Sequence, residues 1–212
     1  FFFKLFFSGC QLVFQNYSDY QLLHNSKSIY SPGSPLTDDE CTKLKNFSNK
    51  GFDPFTVGWI GRDVPSKGLS DFLRLPKLEE KLVQDLSFLV CTPDTFNCSL
   101  PSVERASDRF EFFSRINALY LPSRYGEGFP RVVIEALFSG CLVFVPKGLH
   151  WVPVDIVVAG IILEVENERD LLQKIQTFRR LDRIDRQRYS SALLAKARVM
   201  FCKDRLLSGY LD

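Results

Sequence analysis

Two short stretches of this chain hold residue types that bind or transfer charged groups. The first is Gly61-Arg62-Asp63-Val64-Pro65-Ser66-Lys67-Gly68. Two cations sit in a glycine-flanked loop that leads from an apolar run into a segment of helical spacing. Arg62 can fork onto two phosphate oxygens, and Lys67 can supply a point charge. Backbone amides at a helix start also favour an anion. The pattern therefore suits a phosphate or diphosphate; a solvated basic loop is the alternative. It is not a Walker loop, because Lys67 precedes Gly68 and no Gly-Lys-Ser/Thr follows, and the G-x-G-x-x-G dinucleotide fingerprint is missing.

The second stretch is Pro122-Ser123-Arg124-Tyr125-Gly126-Glu127-Gly128-Phe129-Pro130-Arg131-Val132-Val133-Ile134-Glu135-Ala136-Leu137. Gly126 and Gly128 allow a tight turn and close approach to a ligand, and Pro130 suits a first helical turn. Glu127 and Glu135 lie eight positions apart, at most roughly 12 Å along a helix. That is too far to share a proton, but far enough to grip opposite ends of one extended ligand. A carboxylate can accept from two neighbouring hydroxyls, as on a ribose or a hexose. The alternatives are an ion pair between Glu135 and a nearby Arg, and a helix-dipole interaction for Glu127.

Both stretches need a scaffold that places loops side by side. Apolar runs at residues 55–60, 86–91, 118–121, 141–145 and 160–165 read as buried strands. Helical spacing is expected over 69–82 (broken at Pro76), 107–116, 130–138, 168–180 and 183–200. Apolar strands alternating with helices predict a doubly wound parallel α/β sheet, which binds ligands at the carboxyl ends of its strands. Residues 1–31 read as helix, strand, helix, strand, and Ser31-Pro32-Gly33-Ser34-Pro35 as a linker. Residues 36–54 are polar, and 92–105 read as short and irregular.

Composition narrows the function. The chain has 212 residues, 45% of them hydrophobic, so it can bury a core and is not disordered. A net charge of +2 does not demand a polyanionic partner. Only two histidines, His24 and His150, argue against a His-rich metal site or a Ser-His-Asp triad. None of the six cysteines (Cys10, Cys41, Cys91, Cys98, Cys141 and Cys202) forms a C-x-x-C pair, and free thiols are expected. Residues 179–188 carry five Arg against two Asp. A solvated helical face is one reading of them, and contact with an anionic membrane surface the other.

In their order along residues 55–200, these features resemble retaining GT-B glycosyltransferases of family 4. The features are Gly61-Arg62, Lys67-Gly68, Ala118-Leu119-Tyr120-Leu121-Pro122-Ser123, Glu127-Gly128-Phe129, Glu135-Ala136-Leu137 and Ser139-Gly140-Cys141-Leu142-Val143. The resemblance implies a Rossmann-like doubly wound parallel sheet that is the C-terminal half of a GT-B fold. It divides the chain into residues 1–35, a remnant of the N-terminal acceptor domain with its linker, and 36–212, the nucleotide-sugar-binding domain. The chain is thus expected to begin inside a longer protein. The implied reaction moves a sugar from a nucleoside-diphosphate sugar to a saccharide or lipid-linked acceptor with retention. This chain would be the donor-binding half and inactive alone.

By the same resemblance, Arg62 and Lys67 hold the donor diphosphate, Glu127 faces the transferred sugar and Glu135 binds the ribose hydroxyls. Gly61, and the backbone of Gly128, Phe129, Pro130 and Arg131, complete the donor site. Arg62, Lys67 and Glu127 are the expected catalytic residues. No metal or other cofactor is implied, and no nucleic acid. The expected setting is cytoplasmic polysaccharide biosynthesis, with peripheral membrane contact as an option. The sequence departs from the family at Pro130, where a second Gly is common, and in the loop after Val145, which lacks an acid although Asp155 lies nearby. The alternatives are a non-catalytic nucleotide-sugar-binding module and a GT-B sugar-nucleotide epimerase.

Overall fold

The computed structural model describes residues 13–15, 17–23, 28–30, 35–125 and 128–201. The strands β1 (Val13–Phe14) and β2 (Ile29–Tyr30) flank helix α1 (Tyr17–Leu23) and pair in parallel as a separate two-stranded sheet. The helix expected before them falls outside the described residues.

The main sheet has six strands, β3 (Phe55–Ile60), β4 (Leu86–Cys91), β5 (Val103–Arg105), β6 (Ala118–Tyr120), β7 (Leu142–Pro146) and β8 (Leu163–Val165). All are parallel, in the order β5-β4-β3-β6-β7-β8. The expected Rossmann-like doubly wound sheet is therefore present. Its connections carry α2 (Asp38–Asn46, before β3), α3 (Leu69–Phe72), α4 (Glu80–Val83), α5 (Arg109–Arg115), α6 (Arg131–Phe138), α7 (Val154–Val158), α8 (Glu168–Arg179) and α9 (Arg183–Phe201).

Burial explains the strand sequences. Five of the six β3 residues are buried, because helices cover both faces of the sheet. Toward one face, a Cβ on Gly58 would lie 2.4 Å from Ile116 Cγ2 and 2.6 Å from Phe112 Cζ, so α5 rests directly on the β3 backbone. Toward the other, Phe55 meets Phe178 of α8 edge-on at 6.1 Å. Asn117, which is 2% exposed, ties down the amino ends of the strands. Its Oδ1 accepts from Thr56 N at 2.8 Å, and its Nδ2 donates to Gly51 O at 2.8 Å.

Four segments differ from the sequence reading. The stretch at 92–105 ends in a true strand, β5, at the sheet edge. The polar stretch before β3 contains α2, started by a capping box in which Glu40 N donates to Thr37 Oγ1 and Thr37 N to Glu40 Oε2. The expected helix over 69–82 is instead α3, a 3₁₀ turn at Leu75–Lys77 and α4, because Pro76 cannot sit in a continuous helix. Helix α7 had no sequence counterpart. Cys41, Cys91, Cys98 and Cys141 are free thiols. Among the described residues no helix is long and apolar enough to cross a membrane.

Candidate functional site

Strand order locates the site. The chain builds outward from β3 through β4 to β5, then crosses back to β6 on the other flank of β3. The loops after β3 and β6 therefore leave the sheet at the point where the order reverses, the carboxyl-end position at which such sheets bind ligands. These are the two loops singled out in the sequence.

The loops also touch. Arg124 N donates to Ser66 O at 3.0 Å, and a Cβ on Gly68 would lie 2.7 Å from Pro122 O. Gly68 also has φ +69, in the left-handed region that favours glycine. The first loop is fixed at both ends. Gly61 N donates to Cys91 O at 3.1 Å, and Trp59 Nε1 to Lys67 O at 2.9 Å. Asp63 N donates to Asp94 Oδ2 at 2.6 Å. Arg62 is exposed. The loop enters a four-residue helix, so little dipole backs an anion there. An anion held by this loop would depend on Arg62 and Lys67 for its countercharge.

In the second loop, Gly126 and Glu127 lie outside the described residues. Gly128 borders the short β1–β2 unit, where a Cβ would lie 3.2 Å from Gln15 Cβ. Phe129 and Pro130 are buried. The Phe129 ring packs between Trp151 at 5.9 Å and Phe201 at 5.3 Å. These two residues can therefore offer a ligand only backbone.

Glu135 is 4% exposed and sits in a four-membered ion-pair cluster. Its Oε1 accepts from Arg109 Nη1 at 2.9 Å and lies 3.6 Å from Arg131 Nε. Glu40 of α2 takes the other ends of both cations, at 2.6 Å from Arg109 Nη2 and 2.5 Å from Arg131 Nη2. Burial pushes the Glu135 carboxyl up, opposed by Arg109 and then Arg131. Glu40 is held down at about 2, first by the Thr37 N–H and further by Arg109, the Thr37 hydroxyl and Arg131. The ion-pair alternative for Glu135 is thus realised. The same pairing opposes the pull of burial on this carboxyl, and within the cluster Arg109 and Arg131 both approach Oε1.

A second ladder escaped the sequence reading. Arg124 Nη2 reaches Asp71 Oδ2 at 2.8 Å, Arg74 reaches Asp71 Oδ1 at 2.6 Å, and Arg74 also holds Glu168 at 2.7 Å. It locks the second loop onto α3 and the start of α8. The nearest local signal was the Asp71–Arg74 spacing of i,i+3. The loop after β7, which lacks an acid of its own, is contacted by two acids from β8 and its end. Glu164 accepts from Gly148 N at 3.1 Å, and Glu166 pairs with Lys147 at 2.6 Å, while Asp155 stands exposed on α7.

No protein-family model matches the chain, and no curated protein matches it. Its likeness is to solved structures. A glycosyltransferase from Rickettsia africae ESF-5 superposes with a TM-score of 0.69 at 18% identity, over 99% of this chain and 65% of that one. A point mutant of S. aureus TarM, in complex with Fondaparinux, alpha-GlcNAc-glycerol and UDP, gives 0.67 at 16% identity, over 95% and 42%. Anabaena Alr3699/HepE in complex with UDP and glucose gives 0.59 at 13% identity, over 94% and 60%. The chain spans less than two thirds of the length of each of these neighbours. At such identities the likeness is one of fold, and that fold is the Rossmann-like C-terminal domain of GT-B glycosyltransferases.

Proposed function

We propose that this chain is the donor-binding half of a retaining family 4 glycosyltransferase. It takes a nucleoside-diphosphate sugar and serves transfer to a saccharide or lipid-linked acceptor. The observation that carries this reading is the contact between the two loops at the strand-order reversal, Arg124 N to Ser66 O. It puts the loop bearing Arg62 and Lys67 beside the loop bearing Glu127 and leading to Glu135. UDP in complexes of two fold neighbours makes a uridine donor the first to test.

In this reading the diphosphate lies against Arg62 and Lys67, and the ribose diol against Glu135. The backbone of Gly61 and Gly128–Arg131 closes the site, with Glu127 toward the transferred sugar. As the sugar–phosphate bond breaks, charge grows on the leaving diphosphate, and Arg62 and Lys67 are already placed to stabilise it. The acceptor hydroxyl attacks on the same face and passes its proton to the leaving phosphate, which retains configuration. Glu127 acts here as a binder of the sugar, and no metal or other cofactor is required.

The separate β1–β2 unit supports assigning residues 1–35 to the preceding lobe and its linker, and 36–212 to the donor domain. Acceptor residues would then lie largely outside this chain, and the chain alone would bind donor without turnover. Polysaccharide biosynthesis at the cytoplasmic side of a membrane is the setting this reading expects.

Calorimetry with UDP, GDP and ADP and their sugars tests the reading. One nucleotide series should bind, and Arg62→Ala, Lys67→Ala and Glu135→Ala should each weaken it. Unchanged affinity in the two cation variants would overturn the diphosphate site. An effect of Glu135→Ala on the sugar-bearing donor alone would exchange the roles of the two glutamates.

A further inference from the structure

At the amino end of β3, the segment entering that strand and the first turns of α9 enclose a cavity of about 280 Å³. Lys50, Phe52, Asp53, Arg183, Arg186 and Gln187 line it. Arg183, Arg186 and Gln187 stand at i, i+3 and i+4, so one helix face supplies them. Two of the five arginines of the arginine-rich stretch, Arg183 and Arg186, are placed here.

The charges around the cavity are unbalanced. Three cations face one carboxylate, Asp53, and none of the three forms an ion pair among the described residues. In the same stretch, Arg179 lies 3.8 Å from Asp85 and Arg188 lies 3.4 Å from Asp185. Lys50 Nζ donates to Phe113 O at 2.6 Å and to Cys141 Sγ at 3.2 Å. Those neutral partners fix its position without cancelling its charge. The Arg186 guanidinium lies over the Phe52 ring at 5.2 Å, and its Nε is shielded from solvent without a hydrogen-bond partner. Packing therefore pre-places two of the cations. Like charges held together and a shielded donor left unmade are both unfavourable, and a bound anion relieves both.

We propose that this cavity is a second anion site that binds the phosphate monoester of a small polyol or sugar. The phosphate would lie on Lys50, Arg183 and Arg186, with Asp53 and Gln187 taking hydroxyls. The volume is just under the roughly 300–1,000 Å³ of drug-sized sites, which suits a ligand of about one monosaccharide. The site is remote from the strand carboxyl ends and does not depend on the donor-site reading. The phosphate can come from a soluble ester or from a lipid headgroup.

The test uses the whole chain in two arms. Glucose 6-phosphate is titrated by calorimetry, and phosphatidylcholine vesicles with and without phosphatidic acid are sedimented with the protein. Arg183→Glu reverses an exposed charge that has no ion-pair partner among the described residues, and Arg183→Gln removes it, so at least one folded variant is expected. Binding in either arm should weaken about tenfold or more in these variants and should persist in Arg62→Ala. Binding to glucose 6-phosphate identifies a soluble ligand, and binding only to the acidic vesicles identifies a headgroup. No binding in either arm, or binding lost in Arg62→Ala yet kept in Arg183→Glu, would overturn the site.

Discussion

Glu135 is nearly inaccessible, and Arg109 and Arg131 oppose the upward pull of burial on its carboxyl. Its Oε1 is anchored by Arg109 at 2.9 Å, which fixes how the group can present itself to a neighbour. Arg109→Ala should therefore lower stability by roughly 1–3 kcal/mol, because a buried charge loses its nearest partner, and less than a fully buried pair would because Arg109 is 40% exposed. Urea unfolding reads that loss. Glu135→Gln in the same background should return part of it, since the uncompensated charge is then gone. An Arg109→Ala variant as stable as the parent would show that solvent already neutralises Glu135. Arg62 behaves differently, because it is exposed and its side chain joins none of these ion pairs. Arg62→Ala should leave the unfolding free energy within about 0.5 kcal/mol of the parent. If the donor reading holds, the same variant lowers nucleoside-diphosphate affinity, and its deficit shrinks as salt screens the interaction.

Gly58 carries the element scale. A Cβ at this position would sit 2.4 Å from Ile116 Cγ2 and 2.6 Å from Phe112 Cζ, where α5 meets β3. Both neighbours are wholly buried. Gly58→Ala should thus cost at least about 1–3 kcal/mol by overpacking, read as a lower thermal midpoint. A variant of parental stability would mean that α5 can lift from the sheet. The same burial explains what the sequence disclosed. β3, β4, β6 and β7 are covered on both faces, so they read as continuous apolar runs, and the loops that follow them are legible in the sequence. β5 did not read as a strand because Val103-Glu104-Arg105 lies at an edge, with two of its three side chains exposed. α2 carried a legible start signal in Thr37 and Glu40, but its body of Asp, Glu and Lys has only Leu44 buried and resembles a linker. Site residues were legible where chemistry clusters in one loop. Partners such as Arg109 for Glu135, 26 positions away, and Asp71 for Arg124, 53 away, leave no local trace. They are set by how helices dock on the sheet.

At the scale of the whole molecule, Glu40 is the carboxylate that joins α2 to both α5 and α6 through Arg109 and Arg131. Folding lowers its pKa from 4.5 to about 2, with the Thr37 N–H as the largest cause. Glu111 is lowered to about 2 as well, by the Ser107 hydroxyl first, then its N–H and Arg115. A lowered carboxylate pKa means that the unfolded chain binds the proton more readily. The stability from these two groups is therefore complete above about pH 4.5 and drains away as pH falls toward 2. Glu135 works in the opposite sense. Burial favours its neutral form in the folded state, so protonation there relieves a penalty and offsets part of the loss. Urea midpoints measured from pH 7 down to pH 3 should accordingly change little until about pH 5 and then fall. Glu40→Gln should lower the neutral-pH value and flatten the acid limb, because the carboxylate that would take up the proton is gone. Glu135→Gln should steepen that limb by removing the opposing group. An acid limb unchanged by Glu40→Gln would mean that the α2–α5–α6 junction does not depend on that charge.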